Sequence, residues 1–310
     1  MRRESPLWIL RKRYGGIRPK AAIHAALQGA SRNVTQPCSE LLYPSVIDPV
    51  VRAEILRRLS VIEGPGDVRV LYAVESGSRA WGFPSRDSDY DVRFIFIRSP
   101  EWYLSIDLES RRDVIEQPIV DDIDLAGWDI RKAFRLFAKS NPPLLEWLSS
   151  PITYLVDSEF ADEFRGQVPS YYSPVASMHH YLHMARGNQR EYLRGETVWV
   201  KKYFYVLRPL LAIRWLEQQR GPVPMSFTDL FATVDDDALI AAIEKLRQRK
   251  IAGEELDRGP AIPEISAFVE AELGRLDEVL VPQQPPKPSL DALDQLFRRT
   301  LSRVWSPKEN

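Results

Sequence analysis

The sequence is short of cysteine, and its 310 residues hold one, Cys38. A lone thiol closes no internal disulfide and supplies no cysteine-based zinc site. It suits a reducing compartment, and a cytoplasmic location is the expectation. Histidine is nearly as rare, at four residues, which leaves little for a histidine-built metal centre. No apolar run reaches the roughly 18 residues that span a bilayer, so no membrane association is expected. The N-terminus lacks the long apolar core of a secretory signal. Net charge is also almost absent: 42 basic residues oppose 43 acidic ones. That balance excludes a protein that is basic throughout.

The balance hides an asymmetry. Residues 1–46 carry eight Arg and Lys against Glu4 and Glu40, a net +6, which leaves −7 on the rest. This arm reads as disordered, with a short helical hint at 21–27. Disorder or a misplaced start is the favoured reading of its composition, which also fits a nucleic-acid-binding arm and, loosely, a transit peptide. Regular patterning begins near residue 47. Apolar spacing predicts a helix over 51–62, broken by Gly64-Pro65-Gly66. Strands are expected over 68–74 and 91–97, the second (DVRFIFI) apolar enough for burial on both faces. Weaker strand signals cover 113–120 and 122–125. Helices are expected over 130–139 and 144–148, the latter opened by Pro142-Pro143. Mixed elements over 47–156 define an α/β (α+β) domain. From residue 158 the reading is helical, with long helices over 176–194, 197–219 (with a kink at Pro209), 237–252 and 265–280. The helical domain runs over 157–281, a proline-rich spacer over 282–289, and a last helical stretch over 290–310.

One stretch carries chemistry: Glu75-Ser76-Gly77-Ser78-Arg79, then a polar loop to Asp87-Ser88-Asp89-Tyr90-Asp91-Val92. Gly77 permits close backbone approach, and the Ser78 hydroxyl and turn amides can hold phosphate oxygens. Asp89 and Asp91 are one residue apart at the start of a strand, so alternation puts both on one face. Two adjacent carboxylates repel unless a cation lies between them. A hard divalent ion, Mg²⁺ or Mn²⁺, takes one or two carboxylates plus substrate phosphates. The turn and the pair together describe a nucleoside-triphosphate site. It is not a P-loop, because no Gly-Lys-[Ser/Thr] is present after the turn. An isolated Asp-x-Asp is most often a solvated turn; the upstream Gly-Ser sets this one apart.

Gly77-Ser78, ten residues, then Asp89-Tyr90-Asp91-Val92 resembles the signature of the DNA polymerase β-like nucleotidyltransferases. Residues 124–132 and the block Asn141-Pro-Pro-Leu-Leu-Glu-Trp-Leu148 are similar to the branch known as the YcgL or RlaP type, associated with RNA repair. The resemblance covers about residues 47–280. It implies a polymerase β-like fold followed by a helical domain that closes the cleft. It implies transfer of a nucleoside monophosphate from an NTP to a hydroxyl, with release of pyrophosphate. It also implies three carboxylates holding two metal ions. Asp89 and Asp91 match the first two and Asp124 best matches the third, with Asp122 and Asp129 as rivals; Asp129, at the edge of a helix, reads more simply as its N-cap. Gly77, Ser78, Arg79, Arg86 and Ser88 are the expected nucleotide contacts, joined by Lys202 or Arg208 from the helical domain.

Other features read more plainly. His179 and His183 share a helix face but lack a third ligand. Glu146 is a candidate partner for Arg131 or Lys132, or a support for a metal ligand. Trp81, Trp128 and Trp147 read as core or cleft wall rather than as base-stacking platforms. The acceptor is open between an RNA end, a protein and a small molecule, and a non-catalytic antitoxin-like module of the same fold is the rival reading. Oligomeric state is not legible.

Overall fold

A computed structural model describes residues 47–64, 66–254, 256–278 and 286–306. The basic arm, its helical hint, Cys38 and much of the proline-rich spacer lie outside the described residues.

Helix α1 (Pro49–Glu63) starts where Asp48 accepts a hydrogen bond from the Val50 amide at 2.7 Å and Pro49 fixes the first turn. The chain then builds a five-stranded mixed sheet in the order β3-β4-β2-β1-β5. Its strands are β1 (Val68–Glu75), β2 (Tyr90–Arg98), β3 (Val114–Glu116), β4 (Ile123–Asp129) and β5 (Thr153–Val156). β1 and β2 are antiparallel, whereas β2 and β4 are parallel and pair Asp91 with Asp124. The expected double-sided burial of β2 is observed: Val92, Phe94, Ile95, Phe96 and Ile97 are all fully buried.

Two apolar layers sandwich the sheet. Ile55 and Leu59 of α1 cover Val70, Val92, Phe94, Phe96 and Leu125. The other face packs Tyr72, Ile95 and Ile97 against α4 (Ile130–Phe137) and α5 (Pro142–Leu148), reached after the short helices α2 (Gly77–Ala80) and α3 (Pro100–Tyr103). The same layer takes Phe160 and Phe164 of α6 (Ser158–Gly166) and Val168 of α7 (Val168–Tyr171). Apolar residues of 157–171, expected in the helical domain, therefore pack in the sheet's own layer.

A second core comes next in the chain. It is built from α8 (Pro174–Tyr192), α9 (Tyr203–Glu217), α10 (Asp237–Ile251) and α11 (Pro263–Glu278). The expected 197–219 helix is shorter than its pattern. Thr197–Trp199 forms strand β6 against β7 (Arg258–Pro260), because Thr, Val and Trp favour an extended partner, and the α-helix begins only at Tyr203. Pro209 sits inside α9. The third strand is likewise shorter than its 113–120 signal, and the fourth longer than 122–125. Gly127 gave β4 the look of ending early, but the glycine is required there. A Cβ at 127 would lie 2.2 Å from the ring of Phe94, its partner on β2. The chain finishes with α12 (Asp291–Trp305), whose Leu293 and Leu296 return to the sheet's core. Among the described residues, no helix is long and apolar enough to cross a membrane.

Candidate active site

The site forms where β1 ends and β2 begins. β1 stops at Glu75, and Gly77 then takes φ +58°, a conformation that L side chains rarely adopt. From Gly77 the chain winds into the single helical turn α2 instead of an open turn. Gly77 also packs against Asp91: a Cβ there would lie 2.0 Å from Asp91 Oδ2. The backbone of the turn and the carboxylate are thus in contact, with Ser76 N donating to the Asp91 carbonyl at 2.9 Å.

Parallel pairing of β2 with β4 sets Asp124 beside Asp91 on the same sheet face. Asp89 is exposed at the mouth. Burial raises the pKa of Asp91, Arg93 opposes the rise, and the neighbouring charges of Asp124 and Asp89 add to it. Of the rivals for the third carboxylate, Asp122 is exposed on the approach to β4 with φ +59°. Asp129 lies at the opposite end of β4, where it caps α4 through Arg131 N at 2.9 Å and accepts the Tyr103 hydroxyl at 2.7 Å. Only Asp124 is register-paired with Asp91.

Beneath the pair is a residue whose role the sequence did not reveal. Glu75 is fully buried; its Oε1 accepts from Asp91 N at 3.0 Å and its Oε2 from the Tyr154 hydroxyl at 2.6 Å. Burial pushes its carboxyl up to about 7.

The loop between Ser78 and Asp89 converges on one hydroxyl. Ser88 Oγ meets Ser78 Oγ at 3.3 Å and Ser85 Oγ at 2.8 Å, and accepts from Lys250 Nζ at 3.1 Å. Lys250 comes from α10, more than 160 residues away, and is itself buried. Burial, then the charges of Lys201 and Arg79, hold its ammonium down to about 8. Phe83 anchors the loop in the helical half, 4.8 Å from Phe204 and 5.2 Å from Phe227 between ring centres.

Several expected phosphate contacts are placed differently. Arg79 is buried and donates to the carbonyls of Ser88 (2.6 Å) and Asp89 (3.2 Å), over the ring of Tyr90, so it shapes the loop. Arg86 is exposed on the loop. Arg208 is also buried. It pairs with Glu146 at 3.1 Å and donates to the carbonyls of Met225 and Pro224, so it ties the two halves together. Glu146 therefore answers to Arg208 and to Trp81 Nε1 (3.3 Å), not to Arg131 or Lys132, which pair with Glu109 and Asp113. Lys202 lies over the rings of Tyr192 and Tyr205. Its neighbour Lys201 is the one whose charge acts on both Asp91 and Lys250.

Trp128 and Trp147 pack against each other at 4.0 Å with their rings tilted by 34°, and Trp81 sits edge-on to Tyr205, as walls do. Among the described residues, no three His, Cys, Asp or Glu side chains close into a metal cage, the His179–His183 pair included. What the residues offer a metal is open carboxylates that need substrate oxygens to complete a shell. That donor set fits Mg²⁺ or Mn²⁺. A cavity of about 700 Å³ lies elsewhere, between α1 and the β3 side, lined by Arg57, Arg58, Arg98 and Asp121 among others; none of the candidate groups faces it.

A mixed sheet carrying a glycine turn, an Asp-x-Asp strand and a register-paired third aspartate defines a polymerase β-like nucleotidyltransferase core. The chain belongs to the RlaP family, the RNA repair pathway DNA polymerase beta family, whose model matches residues 51–299. It is similar to the uncharacterized protein YcgL of Bacillus subtilis (strain 168), with 48% identity over 257 residues, 82% of this chain and 98% of that protein. A crystal structure of a nucleotidyltransferase-like protein from Exiguobacterium sibiricum aligns with 82% of this chain and 90% of its own, at 14% identity and a TM-score of 0.29.

Proposed function

We propose that the protein is a metal-dependent nucleotidyltransferase that moves a nucleoside monophosphate from an NTP to a hydroxyl, and that the hydroxyl belongs to an RNA end. The observation that carries the transfer is the contact between Gly77 and Asp91, with Asp124 held alongside by strand register. It brings a phosphate-accepting turn and two carboxylates to one point. The family's description as an RNA repair group supports the RNA acceptor.

Asp89 and Asp91 would hold the divalent ion. When bound, the ion supplies positive charge to the triphosphate as a Lewis acid. The chain's own groups do the rest. The α2 amides and the hydroxyls of Ser78, Ser85 and Ser88 receive the phosphate oxygens. Lys250 and Lys201 balance the charge of the departing pyrophosphate. The acceptor oxygen attacks the α-phosphorus, the bond to the β-phosphate oxygen breaks, and Asp124 takes the hydroxyl proton. Glu75 and Tyr154 fix Asp91 from below through its amide.

The test is transfer of label from an α-labelled NTP, with Mn²⁺ or Mg²⁺, to pools of RNA, protein and small molecules. Asp91→Asn and Asp124→Asn should lose at least about a hundredfold in rate, the scale of a lost general base or charge partner. Asp129→Asn should keep the rate within a few-fold. Unchanged turnover in an Asp89→Asn/Asp91→Asn double variant would sink the assignment, and transfer to protein alone would sink the RNA acceptor.

A further inference from the structure

Arg93 lies two residues beyond Asp91, on the same face of β2. Its Nη2 donates to Asp91 Oδ1 at 3.1 Å and to Asp124 Oδ2 at 2.7 Å. Its Nη1 donates to the carbonyls of Asp124 and Val92 at 3.0 and 3.1 Å. The side chain is only 20% exposed. A guanidinium held by four acceptors in a half-closed site is a fixed charge, and arginine does not lose its proton in proteins.

The two carboxylates that Arg93 spans are the ones a second, acceptor-side ion would have to bridge. Two-ion chemistry places one ion against the leaving oxygens and another against the attacking one. The leaving side is open here, because Asp89 is exposed and the serine-lined loop with Lys250 adjoins it. On the attacking side a cation already sits between Asp91 and Asp124. A divalent ion entering there would meet the guanidinium at contact range in a half-closed site and would have to displace its bonds to both carboxylates.

We propose that Arg93 is the built-in cation of the acceptor side, and that the chain therefore binds one divalent ion per site rather than two. The inference rests on the reading that Asp89 and Asp91 hold an ion. Arg93 keeps Asp91 and Asp124 together without metal and puts its charge beside the attacking oxygen. Only the leaving side then depends on the concentration of free divalent ion.

Ion counting tests this independently of turnover. Full-length protein with an equimolar non-hydrolysable NTP analogue is titrated with Mn²⁺, and free Mn²⁺ is followed by electron paramagnetic resonance against the analogue alone. Wild type and Arg93→Lys should each bind one ion per chain. Arg93→Met should bind a second, and Arg93→Met/Asp124→Asn should lose it. Asp124→Asn in the wild-type background should leave the count at one, which decides the matter even if the Met variant does not fold. Two ions in the wild type, with one lost in Asp124→Asn, would overturn the inference and leave the site reading standing. A Met variant that stays at one ion overturns it too. Mn²⁺ binding unaffected by Asp89→Asn/Asp91→Asn would remove the site reading and this inference together.

Discussion

Glu75 offers a measurement of the site that needs no substrate. Its carboxyl is fully buried at the end of β1, between the Tyr154 hydroxyl and the Asp91 amide. Burial lifts its pKa from 4.5 to about 7. Below pH 4.5 both folded and unfolded chains carry the proton, and the group's contribution to stability is fully present. As pH rises towards 7 the unfolded chain ionises first, so the folded state binds more protons and loses stability. The gap between 4.5 and about 7, at about 1.4 kcal/mol per pH unit, amounts to about 3–4 kcal/mol. Glu75→Gln keeps the shape and an acceptor for Asp91 N but cannot ionise. Melting temperatures of both proteins, without added divalent ions, should be compared from about pH 4.5 to about pH 8, the window that brackets the shift. Wild type should fall relative to the Gln variant across that range, by about 5 °C for a chain of this size. Curves that stay parallel, or a gap that opens the other way, would refute the reasoning.

Two further outcomes are expected from the clamps around the site. Lys250, held near 8 by burial and neighbouring cations, is charged below that pH and neutral above it. Affinity for a non-hydrolysable NTP analogue, measured by calorimetry, should therefore fall as pH rises through about 8; Lys250→Met should weaken it about tenfold or more near neutral pH and flatten that limb. Glu146→Gln or Arg208→Met alone strands a buried charge and should cost about 3–5 kcal/mol in denaturant unfolding, while the double variant should cost less than the sum of the two.

Legibility in the sequence tracked the range of the interactions. The Gly77-Ser78 turn, the Asp89–Asp91 pair and the β1, β2 and α4 elements are local, and periodicity or spacing reveals them. Asp124 could be ranked above Asp129 because a cap and a strand-start aspartate look different even in one dimension. The β6–β7 ribbon was hidden because its partner strand is about 60 residues away and only three residues long. Lys250 reads as an ordinary solvent-facing charge on an amphipathic helix; only the fold brings it to Ser88. Arg208 was misjudged for the converse reason. A cation on a helix near a phosphate site looks like a ligand until Glu146 is found beside it. Arg93 and Glu75 are charges within apolar strands, where the pattern says strand and is silent about function.

The last helix returns to the layer where the sheet began. α12 places Leu293 and Leu296 among residues of β1, α4 and α6, so the helical half is an insertion within the sheet half. During synthesis the order of completion is inverted. The second core has all its residues once α11 is made, whereas the first waits for α12. The sheet face that carries Asp91 and Asp124 is thus the last part of the chain able to settle, and a chain that stops before α12 has all the residues of the second core but not those of the first.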